Sequence, residues 1–484
     1  LRSAAIPRWQ HLLLLLASGL GVAACLWAAW CEFPVYAWND LRLAPAFALR
    51  HGIDPYPPLG GGPLSTWIYG PVGILVNLPA TFAPTALAAL QSASLINALV
   101  VIGPLAFIFF ASSELRARGL AIPMLALLVA ILFIPRPNLV LQVADHSAIA
   151  GGLLASWLLA RQRLPSGATL AGAAAFTALA VWSKQIALFL VLGQVIYLVR
   201  ASGRATALRY LAWVALFGFA ALGVFIAAFG FANLWFNLVE IPGKLPWAEF
   251  KPRLTQRPAS LVAQILIPAL GLWALWQRGL WPGREKESGR FFQVATLAAA
   301  VMLPVGLMGF FKIGGDTNLL HSWDYLLPAG LILLLAQDVG ARSVLRVTFV
   351  VIAGLLLRRE DLFRIYPQPL IGQYAAAEAL FATQPAKLWF PQNPVLTFYA
   401  DGRLWHTEDG VATRYLANHG IREPDFRRHL PPDFQAVVYP SVMTHPFVMA
   451  LLPDFNQEIR LPFWVLHTRP APAPTQTTPS VPQP

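Results

Sequence analysis

The chain is poor in charge and in cysteine. Only 12% of its 484 residues are Asp, Glu, Lys or Arg, about half the share of a soluble globular domain. A water-soluble fold is therefore excluded. The two cysteines, Cys25 and Cys31, lie in or beside one apolar run, too few and too close for a disulfide framework. G-x-S-x-G, H-E-x-x-H and the Walker P-loop are all missing, so ATP-driven pumping and standard hydrolase chemistry lose support. No heptads and no internal repeat are found.

What is present is hydrophobic length. Apolar residues make up 57% of the chain and the mean hydropathy is +0.58. Runs approaching the roughly 20 residues that cross about 30 Å of hydrocarbon as helix place spans near 12–31, 87–111, 120–134, 147–160, 168–183, 186–199, 210–231, 259–277, 291–311, 324–338 and 343–357. The expected fold is thus an all-α polytopic membrane domain of about eleven transmembrane helices over residues 1–360. With the N terminus cytoplasmic, the inner loops hold most of the loop Arg and Lys, as the positive-inside rule requires. The formal charge of +12 is spread over these loops, which argues for topology and against a nucleic-acid partner. VAAC at 22–25 resembles a lipoprotein cleavage box, but the apolar run continues past it.

An odd number of spans puts the rest outside. Residues 374–468 read as a small extracytoplasmic α/β module, with alternating stretches such as AVVYP, and 469–484 as a disordered Pro/Thr-rich tail. Residues 32–86 and 232–258 form the two large outer loops. Within the first, the apolar segment 67–82 holds two prolines and two glycines and reads as interfacial or re-entrant.

Charges bordering spans are costly and usually functional, and here they sort to the outer side. Asp40, in WND after the first span, is placed to act as a general base or to cap a helix. Asp54 in GIDPY reads as a turn residue or a substrate contact, with Tyr56 and Tyr69 in the same loop. Arg136 in PRPN could fork onto phosphate oxygens, while Asp145 and His146 in ADHS could orient a hydroxyl or ligate a metal. Lys184 in WSKQ, followed by Gln185, has no acidic neighbour in sequence, which favours an anion arriving from outside. FKIGGDTNLLHSWDY, residues 311–325, gathers Lys312, Asp316, Asn318, His321 and Asp324 around two glycines. Lys251, Arg253 and Arg257 form a basic patch in the second outer loop.

Asp40 after the first span, GIDPY followed by YGP and NLP, and the basic ends of later outer loops resemble the GT-C superfamily of polytopic glycosyltransferases, which includes protein mannosyltransferases, aminoarabinose transferases and polyprenyl-phosphate-mannose-dependent mannosyltransferases. The resemblance covers roughly residues 10–360. It implies transfer of a sugar, with inversion, from a polyprenyl-phosphate donor to a glycan, lipid or protein acceptor at the outer face of the cytoplasmic membrane. Asp40 would be the catalytic base, and Lys184 with Arg136 or the basic loop would hold the lipid phosphate. No cofactor is implied. WND has one acid where many relatives have a pair, which leaves metal use open. The rival readings are a secondary transporter or lipid flippase, and a lipid-linked oligosaccharide ligase or polymerase. A transporter would carry its charges at the bilayer midplane, and a ligase would need a larger second loop than 232–258.

Overall fold

The computed structural model describes residues 8–27, 30, 37–58, 60–65, 67–112, 115–116, 119–133, 144–248, 265, 269, 272–273, 285–313, 315, 320–338, 369–383, 387–441, 443 and 446–470. Most predicted spans fold as helices close to where the apolar runs place them. They are α1 (Arg8–Trp27), α4 (Ala86–Ala111), α5 (Ala121–Phe133), α6 (Asp145–Arg161), α7 (Gly167–Ser183), α8 (Leu188–Ser202), α9 (Arg204–Phe229), α12 (Glu287–Phe310) and α13 (His321–Asp338). The first loop supplies α2 (Ala37–Arg50) and α3 (Pro71–Asn77), and the second supplies α10 (Phe231–Trp235) and α11 (Ile241–Lys244).

The eleven-span count is not reproduced. Among the described residues four helical segments are long and apolar enough to cross a membrane, namely 86–111, 185–202, 204–229 and 287–310. The described part of α5, 13 residues, rises about 20 Å. The span expected at 343–357, and most of that at 259–277, lie outside the described residues.

Within the bundle, close approach rests on small residues, as in other packed membrane helices. An added Cβ at Gly193 of α8 would sit 2.6 Å from Ala298 Cα of α12, so that crossing tolerates no side chain. The polar ends are capped from sequence: Thr85 accepts from the Ala88 amide at the start of α4 and Ser166 from that of Thr169 at the start of α7. By contrast, α9 presents Leu208, Leu216, Phe219 and Val224 fully outward, the pattern of a helix facing lipid.

The segment 67–82 reads from sequence as interfacial or re-entrant. It folds as α3 followed by a 3-10 turn over Leu78–Phe82. The C-terminal module contains α14 (Pro369–Thr383), α15 (Pro394–Asp401), α16 (Glu408–Leu416) and α17 (Glu423–Arg428). Beside them lies a four-stranded sheet in the order β1 (Leu388–Trp389), β2 (Ala436–Pro440), β4 (Trp464–Thr468), β3 (Gln457–Arg460). β1 and β2 are parallel and the other pairs antiparallel. AVVYP, expected to alternate, is buried at every position because β2 is an inner strand covered on both faces. The tail from 471 onward lies outside the described residues.

This module is not separately packed. Leu43, Phe47, Tyr56 and Trp67 of the first loop share one apolar core with Tyr374, Phe390, Leu396 and Trp464. The compositional change near 374 therefore marks no break in the interior. The first loop is clamped between the module and the ends of α6 and α7.

Candidate active site

YGP at 69–71 is the keystone of that clamped region. The Gly70 amide donates to Ser183 O at the end of α7 (3.2 Å), and the Trp67 indole donates to Gly70 O (3.1 Å). A Cβ on Gly70 would lie 1.8 Å from Trp182 O, so only glycine lets the loop approach. Gln185 spends both amide hydrogens on Ile68 O (2.8 Å) and Leu238 O (2.9 Å). Tyr56 is fully buried and its hydroxyl donates to Tyr69 O (2.7 Å). Through these bonds both residues hold the loop in place.

Docking YGP here brings the Tyr69 ring within reach of two cations. Lys184 Nζ stands 5.3 Å from its centroid and the Arg42 guanidinium 5.0 Å. Lys184 has the acidic partner that local sequence did not show, Asp145 at 2.6 Å, with the two side chains only 3% and 7% exposed. The correction has a topological cause: α6 and α7 form a hairpin, so residues 39 apart meet where its two free ends lie together. An isolated ammonium there would be strongly disfavoured, and the pairing removes that cost.

Arg42 was legible only as a loop charge. It is half-buried, its Nε has no partner among the described residues, and it feels the charges of Asp409 and Asp145. Asp409, on α16 of the module, was not singled out by sequence at all. Burial pushes its carboxyl up to about 6, with Arg42 pulling the other way. It remains partly exposed to solvent. A carboxylate with that affinity for protons, in the field of Arg42, can accept a proton near neutral pH.

Behind Asp145 lies a layer of rings and amides. His146 and His321 stack at 6.1 Å and 7°, with Tyr325 edge-on to both. Asn97 Oδ1 is 3.3 Å from His146 Nδ1, and Asn97 donates to Asn77 Oδ1 at 2.9 Å. Asn77, Asn97 and Tyr325 escaped sequence reasoning, because single polar residues in apolar helices carry no spacing signal. Among the described residues no three His, Cys, Asp or Glu side chains converge as a metal site.

Asp40 is elsewhere and otherwise engaged. It is fully buried. Tyr374 Oη donates to one carboxylate oxygen and the Val395 amide to the other, each at 2.6 Å. Asn393 donates to the same tyrosine hydroxyl (3.3 Å). Val395 lies in the first turn of α15, so Asp40 caps that helix from another part of the chain. Desolvation by burial raises its pKa to about 7, against those hydrogen bonds. Of the two roles its sequence position allows, the fold shows the helix cap, with both carboxylate oxygens bonded.

Asp54 makes the turn read from GIDPY, accepting from the Tyr56 amide (2.8 Å) and also from Asn233 Nδ2 (3.2 Å). Lys312 donates to Pro242 O (2.9 Å), a contact with the second loop and not with the cation pair. Arg136, Arg253, Arg257, Asp316 and Asn318 lie outside the described residues.

No family model matches the chain, and no curated protein does. Among solved structures, ArnT from Cupriavidus metallidurans bound to undecaprenyl phosphate aligns over 94% of this chain and 97% of its own, with a TM-score of 0.57 at 12% identity. The fold is similar to that of ArnT. The apo state of ArnT aligns over 93% and 96%, with a TM-score of 0.42 at 12% identity. The GT-C-like polytopic membrane fold expected from the sequence is thereby borne out as a fold. ArnT matches along nearly its whole length, membrane helices and module together.

Proposed function

We propose that the chain is a membrane glycosyltransferase that takes a sugar from a polyprenyl-phosphate donor and passes it to an acceptor hydroxyl. The observation that carries this is the Arg42–Tyr69–Lys184 arrangement. Two cations lie within about 5 Å of one aromatic ring, with carboxylates at hand, in a fold similar to that of a protein solved with undecaprenyl phosphate. A lipid phosphate keeps its headgroup at the membrane surface, so its cation partners must sit where the bundle meets the outer loops.

In this reading Lys184 and Arg42 hold the donor phosphate, and Asp145 keeps the ammonium oriented until the phosphate arrives. The acceptor oxygen attacks the anomeric carbon from the side opposite the phosphate. The carbon–oxygen bond to phosphate breaks, the phosphate leaves with the electron pair, and the configuration inverts. The acceptor proton goes to a carboxylate. Asp409 is the one we assign, because it is partly open and adjoins Arg42. Asp40 is a positioning residue that seats the module over the first loop. The cations stabilise the charge growing on the departing phosphate, a contribution of about 3–4 kcal/mol for a single well-placed donor. The protein would work in the cytoplasmic membrane with this face outward, among membrane lipids, and needs no cofactor or nucleic acid.

The test is transfer of labelled mannose, glucose or arabinose from its polyprenyl phosphate in proteoliposomes, by native protein and by Lys184→Met and Asp409→Asn. Label passing to an acceptor or to water, and reduced at least about a hundredfold in both variants, supports the assignment. Turnover of no donor overturns it. Loss in Asp40→Asn with retention in Asp409→Asn, both variants remaining folded, would return the base to Asp40.

A further inference from the structure

A shallow cleft opens where the first loop meets the module. Asp54, Ser65, Trp405 and Thr407 line it above a floor that includes Ala44 and Ala48. Its interior, about 10 Å³, admits one water-sized group, so a larger ligand would lie across the rim with a single arm inside.

The polar groups of the cleft are fixed before any ligand comes. The Trp405 indole donates to Asp401 Oδ2 at 2.6 Å, which locks its ring. Two donors, the Tyr56 amide and Asn233, hold Asp54, and a carboxylate has about four lone-pair positions to offer. Ser65 Oγ donates to Pro55 O (3.2 Å) and Thr407 Oγ1 to Leu64 O (3.1 Å). Their hydrogens are spent, so what these hydroxyls and the Asp54 carboxylate still have to offer are acceptors. A complementary ligand brings hydroxyl donors and an apolar ring face.

We propose that this cleft is the subsite for the acceptor, and that the acceptor is a sugar: one hydroxyl enters to meet Asp54 and Ser65 while the pyranose ring lies against Trp405. This rests on the glycosyltransferase reading above and names its acceptor class. The position is apt. Thr407 caps α16 and precedes Asp409 by two residues, at most about 7 Å of chain, so a ring at the rim has a neighbouring hydroxyl within reach of the assigned base. An ammonium ligand would also suit a carboxylate beside an indole, but Arg42, Lys184 and Arg414 crowd the same loop and repel it.

The experiment is saturation-transfer NMR on the full chain in nanodiscs, with methyl glucoside, mannoside and galactoside as probes and choline and propanol as controls. At least one hexoside should bind the native protein. Trp405→Leu and Asp54→Asn should weaken it at least about tenfold, while Trp405→Phe, which keeps a ring, should retain it. No hexoside binding, equal binding by Trp405→Leu, or displacement by choline would overturn the proposal. Donor cleavage to water without hexoside binding would refute the cleft and spare the transferase. Hexoside binding without cleavage of any donor would refute the transferase and spare the cleft.

Discussion

Replacing Lys184 by Met breaks a 2.6 Å ion pair whose side chains are 3% and 7% exposed. Removing one partner of such a pair leaves the other buried and uncompensated, at a cost of about 3–5 kcal/mol. The same cost attends Asp145→Asn, which strands the ammonium. The double variant leaves no charge behind and should return close to native stability, since neutral groups often replace buried pairs at little or no cost. Thermal unfolding of the four proteins in nanodiscs measures this as a double-mutant cycle. Both single variants should unfold well below native protein and the double variant near it. Sugar transfer should stay lost in the double variant, because the donor phosphate has still lost its lysine. Equal midpoints for native protein and Lys184→Met would refute the reasoning, as would transfer by the double variant.

Gly70→Ala forces a methyl to within 1.8 Å of Trp182 O. Lifting YGP off α7 should cost more than about 3 kcal/mol and abolish transfer, read by unfolding and turnover together. If Asp409 is the base, kcat/KM should rise with pH through about 6, and in Asp409→Asn this limb should vanish along with most of the rate. Asp40 gives a stability signature of opposite slope. Its folded pKa of about 7 lies above the ordinary 3.8, so between those values the folded chain holds the proton more tightly than the unfolded one. Stability should therefore fall as pH rises from 3.8 to about 7, and unfolding midpoints across that range should depend less on pH in Asp40→Asn.

The helical bundle was legible because a long apolar run has few other solutions in a chain with so little charge. The helices at 121–133 and 145–161 carry the composition of spans over described lengths of 13 and 17 residues, so length separates them from the four segments long and apolar enough to cross. Lys184 stood out because an ammonium beside apolar helices demands a partner, yet Asp145 stays hidden until the hairpin is built. YGP was visible as an oddity, whereas the reason for its glycine is a contact with Trp182 more than 100 residues away. Arg42 and Asp409 were missed together. Each is an ordinary loop or helix charge alone, and only the packing of the module onto the first loop brings them near one another. That packing also removed Asp40 from the surface, since Tyr374 and Val395 come from a region whose local pattern shows only a soluble module.

The most direct test of the central claim is the binding of undecaprenyl phosphate to the chain in nanodiscs, native against Arg42→Met and Lys184→Met. The account predicts saturable binding by native protein, weakened at least about tenfold in each variant and lost in the double variant, with dephosphorylated undecaprenol failing to compete. Binding of lipid phosphate and undecaprenol alike, or undiminished binding when both cations are gone, would contradict it.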